Sequence, residues 1–412
     1  MKNILSRRDF TNLTLGTAIT GMLFDTTVSF GSQTKAAGQG TCGKNTSYLP
    51  LVTPAEVGMS ALDTTSIDRL IEELITNRNT PGAVVVIGRG NRVCFQKVYG
   101  NRQQYPTIEP MTLDTIFDMA SVTKVAATGL SVNILLDRGL IELDSPAKKY
   151  LAEFARNGKD DITVKSLLLH VSGIQDKYNM HGSESQIWQN ICNTGIVAKP
   201  FQRYEYSCLG YVVLGKIIER VSGMSLPDFA KKNIYEPLGM NDTCFTPDEK
   251  LRVRTAPTEK RDGRWLRGEV NDHRSNYAGG RLGNAGLFST GPDLAILASV
   301  ILNHGRYIKV DGTKAKLFSE KTFQNMIACY PVPNGVRGLS WDKKTGKPNL
   351  PPEMSELGIG HGGWTGTSLM IDVPRNLFVI VLTTRRHLDT SKPNIYPTAG
   401  KIAQRAIASI ND

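Results

Sequence analysis

The chain lacks long apolar runs, cysteine pairs and clustered histidines. A membrane-spanning helix needs about 18 or more consecutive apolar residues, and no uncharged apolar run in the 412 residues reaches that length, so an integral membrane protein is not expected. The six cysteines include no Cys-x-x-Cys pair and are too few for a disulfide scaffold in a chain of this length. The six histidines are scattered, so we predict neither a metal site nor a cofactor.

The positive charge of the chain is spread out. Lys and Arg number 49 against 38 Asp and Glu, a net charge of +11. No basic block is interleaved with aromatic residues, and zinc-finger or RNA-binding signatures are absent from the sequence. A nucleic-acid partner is therefore not expected. The excess charge is typical of a soluble surface, and the alternative is attraction to an anionic partner such as cell-wall polymer.

The first forty residues differ from the rest of the chain. Met1–Phe10 is basic, Leu13–Phe24 is apolar but too short to span a membrane, and Ala36-Ala37 offers small residues for cleavage. Ser6-Arg7-Arg8-Asp9-Phe10 resembles a twin-arginine signal. We predict that residues 1–40 are a signal peptide and that the protein is exported to the periplasm or the outside of the cell. The alternative is an amphipathic N-terminal helix.

Hydrophobic periodicity predicts strands near both ends of the mature chain and helices between them. The predicted strands are Ala83–Ile87, Arg92–Tyr99, Thr367–Val373 and Leu377–Thr384, and the main predicted helices are Asp63–Arg78, Ser121–Arg138, Tyr211–Val221, Pro292–Leu302 and Ala399–Ile410. Gly90-Asn91, between the first two strands, predicts a two-residue hairpin turn. We expect an α/β (α+β) fold, an antiparallel sheet flanked by helices with an inserted all-helical subdomain. The domain would span residues 54–410, with an α/β part at about 54–125 and 285–410 and a helical part at about 126–284.

A serine and a lysine three residues apart on a helix lie on one face, with about 5–6 Å between their Cβ atoms. A lysine held there favours ionisation of the serine hydroxyl. The Ser-x-x-Lys pattern occurs four times. The pattern at Ser32 lies in the predicted signal, Ser145 precedes a proline, and Ser340 leads into a polar, turn-rich stretch. Ser121-Val122-Thr123-Lys124 opens a long apolar helix, although an N-cap serine with a surface lysine would give the same pattern.

The surroundings of Ser121 carry a family resemblance. Similar stretches follow in one order along residues 54–410: Pro81–Val85, Glu109–Lys124, Ser166–Gly173, Tyr204–Gly223, Gly286–Ser289 and Gly360–Asp372. Together they resemble the serine β-lactamase and penicillin-binding protein superfamily, most closely its class C-like, β-lactamase-related branch. The resemblance implies that Ser121 is a nucleophile that forms a covalent acyl-enzyme and that Lys124 is its partner.

The second motif of the family, Tyr-x-Asn or Tyr-x-Ser, is matched by Tyr206-Ser207-Cys208, with Tyr206 lying 85 positions after Ser121. The resemblance implies that Tyr206 moves protons together with Lys124, whereas the nearby Tyr204 and Tyr211 have structural roles. Cys208 departs from the family, because a thiol is a weaker hydrogen-bond partner for a substrate amide than asparagine.

Two segments compete for the third motif, Lys-Thr-Gly. Lys344-Thr345-Gly346 matches by letter but lies in a polar stretch that we predict to be a loop. His361-Gly362-Gly363-Trp364 runs into a strand and is the better match, with His361 in the place of the cation or donor. Gly363 would let substrate lie against the strand edge, and the backbone N–H groups of Ser121 and Trp364 would form the oxyanion hole.

The predicted activity is acyl transfer through an ester of Ser121, with a small molecule or a peptidoglycan fragment as substrate. D-Alanyl peptides of peptidoglycan rank first, carboxylic esters second and β-lactams third. His361 and Cys208 disfavour a strong β-lactamase, because imidazole titrates near pH 6.5 and is mostly neutral at pH 7. Arg385 and Arg386 are alternative cations for a substrate carboxylate. A non-catalytic module that binds penicillin or cell-wall fragments is the alternative of another class. The sequence leaves the oligomeric state open.

Overall fold

The computed structural model describes residues 48–176, 180–309, 311–344, 350–388, 391 and 393–411. The predicted signal peptide, Thr345 and Gly346 lie outside these ranges. The strands are β1 Gly82–Arg89, β2 Arg92–Gln103, β3 Glu109–Pro110, β4 Phe117–Asp118, β5 Cys244–Phe245, β6 Lys260–Arg261, β7 Arg264–Trp265, β8 Leu287–Ser289, β9 Arg306–Ile308, β10 Lys314–Lys316, β11 Tyr330–Val332, β12 Gly335–Arg337, β13 Ile359–Gly363, β14 Thr367–Asp372 and β15 Leu377–Thr383. The α-helices are α1 Thr64–Thr76, α2 Leu130–Asp137, α3 Val164–Leu168, α4 Glu184–Asn193, α5 Cys208–Ser222, α6 Leu226–Ala230, α7 Glu236–Leu238, α8 Glu249–Arg252, α9 His273–Tyr277, α10 Gly291–Leu302, α11 Glu320–Ile327 and α12 Tyr396–Ala408.

The main sheet joins strands from both ends of the chain. Its six strands lie in the order β13-β14-β15-β1-β2-β3, and each neighbouring pair is antiparallel. β1 is central, with Val85 opposite Val381 of β15 and Lys97 of β2. The predicted hairpin around Gly90-Asn91 is confirmed, since Arg89 pairs with Arg92. The α/β fold with an antiparallel sheet and flanking helices is therefore confirmed.

The sheet separates two apolar cores, because alternate residues of a strand face opposite sides. Val84 and Val86 face the larger core, which includes α10 and the helices in the middle of the chain. Val85 and Ile87 face a smaller core built with α1 and α12. This burial on both faces explains why β1 is an uninterrupted apolar run rather than an alternating one.

The predicted helix Ser121–Arg138 is helical throughout but not one α-helix. It begins as a 3₁₀ turn at Ala120–Val122, continues as a π-helical stretch at Lys124–Gly129 and becomes α-helical at α2. All six residues of the π-helical stretch are buried. Wider π turns of this kind are frequent at functional sites. Within the described ranges, no helix combines the length and the apolar character that a bilayer crossing requires.

Candidate active site

Ser121 and Lys124 lie within hydrogen-bonding distance at the start of this helical segment. The Nζ of Lys124 donates to the Oγ of Ser121 at 3.0 Å and to the backbone carbonyl of Asn284 at 2.9 Å. Lys124 is fully buried. It is therefore not the surface lysine of the alternative interpretation, and its nitrogen is held against the serine hydroxyl.

The turn that carries Ser121 is held by a buried carboxylate just before it. Asp118 accepts the N–H of Ala120 at 2.8 Å and the N–H of Asn271 at 2.7 Å. Ala120 has a φ of +44°, a conformation that a residue with a side chain adopts only where its surroundings enforce it. Burial raises the pKa of Asp118 to about 6, although the two backbone N–H groups that donate to it act in the opposite direction.

Two threonines tie the turn after β13 to the residues before the serine. The hydroxyl of Thr365 donates to the carbonyl of Asp118 at 2.6 Å, and that of Thr367 donates to the carbonyl of Met119 at 3.1 Å. Gly363 lies at this junction. A Cβ on Gly363 would lie 2.1 Å from Thr367 Oγ1 and 2.4 Å from the Met119 carbonyl, so glycine is required here for contact between protein segments.

Tyr206 reaches the same serine from a distant part of the chain. Its phenol shares a hydrogen bond with the side chain of Ser121, and the Nζ of Lys124 lies 5.0 Å from the centre of its ring. The three predicted catalytic side chains therefore meet in one place. Burial, and next the neighbouring Cys208, raise the pKa of Tyr206 well above its ordinary value, although the hydrogen bond with Ser121 lowers it. The phenol is consequently protonated at neutral pH.

The edge of β13 presents the backbone beside the nucleophile. Gly360 exchanges two hydrogen bonds with Asp342, the Asp342 N–H donating at 2.9 Å and the Gly360 N–H at 3.2 Å. Because alternate residues of a strand direct their N–H and C=O groups to the same edge, Gly362 follows Gly360 in facing outward, and Trp364 begins the turn directly after β13. The role of the Trp364 N–H in the oxyanion hole stays a prediction.

His361 is a neutral acceptor rather than a cation. Its Nδ1 lies 2.8 Å from the carbonyl of Gly362, so Nδ1 carries the proton and Nε2 has a free lone pair. Burial lowers the pKa of His361 to about 4. The Nε2 atom is buried and has no hydrogen-bond partner among the described residues. The sequence left a cation or a hydrogen-bond donor open at this position, and burial disfavours the cation because it lowers the pKa of the imidazole.

The arginines considered as alternative cations are already engaged. Arg385 is buried, and its Nε donates to the carbonyl of Trp364 at 2.8 Å. Arg386 forms an ion pair with Glu259 at 2.8 Å. Both guanidinium groups lie near the indole of Trp364, at 4.6 and 5.1 Å from the ring centre, and this side chain is still 53% exposed. Trp364 thus has an indole ring that contacts the two arginines and is half exposed to solvent beside the site.

Cys208 begins α5 directly after the active-site loop. Its backbone N–H donates to Asp176 at 2.7 Å, and Asp176 is bound by the buried guanidinium of Arg274 at 2.5 Å. The thiol is partly buried. Cys208 therefore lies beside Tyr206, but its side chain lacks the amide group with which the family's asparagine could bind a substrate. The five cysteines within the described ranges are all free thiols.

The sequence indicated no role in the site for the carboxylate of Asp118 or for the backbone carbonyl of Asn284, and it indicated only a structural role for His170, in a turn of the helical part. Asn284 lies near the end of a loop whose many glycine and polar residues are a weak sequence signal of function. A backbone carbonyl is common to every residue, so its role has no sequence signal. Lys344, which belongs to the other segment considered for the third motif, forms an ion pair with Glu356 at 2.7 Å. In the described part of the chain, no three His, Cys, Asp or Glu side chains are grouped so that they could hold a metal ion.

Comparison with known proteins identifies the family of the chain. A model of the family described as "Beta-lactamase" matches residues 67–403. A protein named "Putative D-alanyl-D-alanine carboxypeptidase" from Salmonella agona (strain SL483) is 30% identical over 391 residues, which cover 85% of this chain and 89% of that protein. A protein of the same name from Salmonella newport (strain SL254) matches to the same extent. The chain is a serine hydrolase. It belongs to the β-lactamase family, within the serine β-lactamase and penicillin-binding protein superfamily.

Solved structures share the fold at lower identity. A penicillin-binding protein homologue from Caulobacter crescentus has a TM-score of 0.68 and 19% identity, covering 84% of this chain and 97% of that one. EstCE1, described as a hydrolase with promiscuous acyltransferase activity, has a TM-score of 0.66 and 18% identity, covering 84% and 98%. An octameric penicillin-binding protein homologue from Pyrococcus abyssi has a TM-score of 0.66 and 24% identity, covering 83% and 77%.

Proposed function

We propose that this protein hydrolyses D-alanyl peptides of peptidoglycan through an ester of Ser121. The observation that carries the proposal is the meeting of Ser121, Lys124 and Tyr206, with Lys124 Nζ at 3.0 Å from the serine Oγ. The names of the Salmonella relatives support a D-alanyl substrate. The two N–H groups assigned to the oxyanion hole, those of Ser121 and Trp364, would stabilise the negative charge of the tetrahedral intermediate.

The reaction has two stages. Ser121 Oγ forms a bond to the substrate carbonyl carbon while its proton passes to the Lys124 and Tyr206 pair. The bond between that carbon and the leaving amine then breaks, and the amine receives a proton. Because the phenol of Tyr206 starts protonated, we assign the donation to the leaving group to Tyr206 and the removal of the serine proton to the amine of Lys124. Water then forms a bond to the ester carbonyl carbon while its proton passes to the phenolate of Tyr206. The bond between that carbon and Ser121 Oγ breaks, Oγ takes back its proton from Lys124, and the acid is released.

A carboxylic ester is the second candidate substrate, and His361 favours it. A D-alanyl peptide ends in a carboxylate, and a neutral imidazole with a lone pair on Nε2 attracts that charge less than a cation does. A simple ester substrate has no terminal carboxylate, and its alkoxy group leaves as a neutral alcohol. The site therefore needs no cation to bind it. β-Lactams, which also carry a carboxylate, remain the third candidate. A non-catalytic module is the alternative of another class.

Mass spectrometry of the intact protein separates these candidates. The protein is incubated in turn with a D-Ala-D-Ala peptide, a short acyl ester and a β-lactam, and the added mass is followed over time. We expect a transient adduct with the peptide that is absent in Ser121→Ala and kept in Ser145→Ala, a matched control from another Ser-x-x-Lys pattern. If only the ester forms an adduct, the substrate is a carboxylic ester and not a D-alanyl peptide. No serine-dependent adduct with any of the three would contradict the enzyme proposal.

The site would act outside the cytoplasm if residues 1–40 are a twin-arginine signal peptide, as the sequence indicates. We place the hydrolase domain at 54–410, with its α/β part at about 54–125 and 285–410. Replacing Arg7 and Arg8 by Lys tests the route. The changed protein should accumulate in the cytoplasm at its full precursor mass, and export that continues unchanged would contradict it.

A further inference from the structure

Tyr206 lies in a stretch without regular structure. Residues 203–207 form neither helix nor strand, and α5 begins only at Cys208. A helix or strand fixes the direction of its side chains through its own hydrogen bonds, but this loop has no such framework. The position of the phenol must therefore come from contacts with another part of the chain.

His170 provides these contacts on both sides of the tyrosine. Its backbone carbonyl accepts the N–H of Glu205 at 2.9 Å, and its Nδ1 accepts the N–H of Ser207 at 3.0 Å. The imidazole also stacks on the ring of Tyr206, with 4.4 Å between the ring centres and 27° between the planes. One residue thus bonds to the neighbours of Tyr206 before and after it and contacts its ring.

The backbone of His170 is shaped for this role. The residue follows the end of α3 with a φ of +59°, a left-handed conformation that is uncommon for a residue other than glycine. It is 1% exposed, so it has almost no surface that a substrate could contact. Its second aromatic neighbour is Tyr211, 5.0 Å away between ring centres, whose hydroxyl donates to the carbonyl of Leu168 at 3.0 Å.

We propose that His170 is a positioning residue of the active site, holding the phenol of Tyr206 against Ser121 through the acceptor Nδ1 and the stacked ring. The inference rests on the proposed function, since it assigns His170 a task in the same reaction. Hydrogen bonds in catalysis depend on distances of about 3 Å, and a displacement of about 1 Å can cost about 100-fold in rate.

Three variants separate the two contacts. His170→Asn keeps an acceptor for the Ser207 N–H and tolerates the left-handed backbone, but it removes the ring. His170→Phe keeps a ring and removes the acceptor, and His170→Ala removes both. We expect His170→Ala to lower kcat by ~10²-fold with KM little changed, because His170 does not touch substrate. The Asn and Phe variants should each recover part of kcat. Leu169→Ala, equally buried in the same segment, is the control for a general loss of packing.

The decisive measurement is a double-mutant cycle in which His170→Ala is combined with Tyr206→Phe. If His170 acts through the phenol, the His170→Ala change costs nothing further once the hydroxyl is absent. Independent losses that multiply would overturn the proposal, and so would a kcat loss in Leu169→Ala as large as that in His170→Ala.

A second measurement does not depend on turnover. In protein labelled with ¹³C-tyrosine, the signal of Tyr206, assigned with Tyr206→Phe, should carry a ring-current shift that disappears in His170→Ala and persists in His170→Phe. An unchanged signal in His170→Ala would overturn the proposal. A wild-type protein that forms no adduct with Ser121 but shows this shift would contradict the proposed function alone.

Discussion

Ser121 and Lys124 on one side, and Tyr206 on the other, are held in the active site by different means. The first two residues belong to one helical segment, so a single turn of backbone sets the 3.0 Å between their polar atoms. Tyr206 lies on a loop, and its place depends on His170, a residue from yet another segment. The spacing of the pair is therefore set by local backbone geometry, whereas the position of Tyr206 is set by contacts with a distant segment.

The Lys124→Met change tests the local pair and has the largest expected effect. Methionine fills a similar volume without a charge, so the buried site keeps its packing while the Ser121 hydroxyl loses its proton acceptor. We expect the rate of Ser121 labelling by a fluorophosphonate probe to fall by at least ~10³-fold.

Lys148→Met is the matched control for Lys124→Met. Lys148 belongs to another Ser-x-x-Lys pattern and pairs with Asp160 at the surface at 3.1 Å, so labelling should be unchanged. A Lys124→Met protein that is labelled as fast as the wild type would show that the lysine takes no part in the mechanism. The pair of Ser121 and Lys124 would then no longer be a functional unit to compare with Tyr206.

Tyr206→Phe tests the member held by tertiary contacts. The ring and its stacking on His170 remain, so only the hydroxyl is lost, and the acylation rate should fall by ~10²–10⁴-fold. Tyr211→Phe is the control: its hydroxyl donates to the carbonyl of Leu168, so this variant should lose about 1 kcal/mol of stability and keep its acylation rate. Equal acylation rates in the two variants would contradict the role of Tyr206.

The local features of the molecule followed from the sequence, and the meeting of Tyr206 with Ser121 followed from the family resemblance, but other tertiary contacts had no signal. The Ser121–Lys124 pair and the hairpin at Gly90-Asn91 follow from spacings of a few residues. The contacts of Asp118 with Asn271, and of Lys124 with the carbonyl of Asn284, join residues more than 150 positions apart. Such contacts leave no pattern in a single sequence.

The chemical state of His361 was also beyond the sequence. Its place before a strand was predicted, but its charge depends on burial, which the fold determines. The π-helical stretch at Lys124–Gly129 was not predicted either, since it lies inside the segment Ser121–Arg138 that was predicted to be one helix. A motif therefore located the residues of the site, while packing determined which of them are charged.

Gly363→Ala tests how β13, the strand that carries the third motif, supports the pair of Ser121 and Lys124. The added Cβ would press on Thr367 Oγ1 and on the Met119 carbonyl, which separates β13 from the turn before Ser121. We expect a loss of about 1–3 kcal/mol in the free energy of unfolding together with slower acylation. In the control Gly400→Ala, a Cβ in α12 has nothing within 4 Å, and alanine should stabilise the helix by about 1 kcal/mol. A Gly363→Ala enzyme with wild-type stability and rate would contradict the close contact.

His361→Gln has the smallest expected effect and tests the neutral imidazole. The pKa of His361 is about 4 in the folded protein because of burial and about 6.5 in an unfolded chain. The unfolded state therefore binds the proton more tightly, and stability is lost as the pH falls below about 6.5. At pH 5.5 this loss is about 1 kcal/mol relative to pH 8. It should disappear in His361→Gln, as measured by urea unfolding at both pH values. His387, whose pKa burial also lowers to about 4, keeps its own contribution in both proteins and cancels in the difference. An identical pH dependence in wild type and variant would mean that the pKa of His361 is the same in the folded and the unfolded protein, which would contradict the effect of burial on this imidazole.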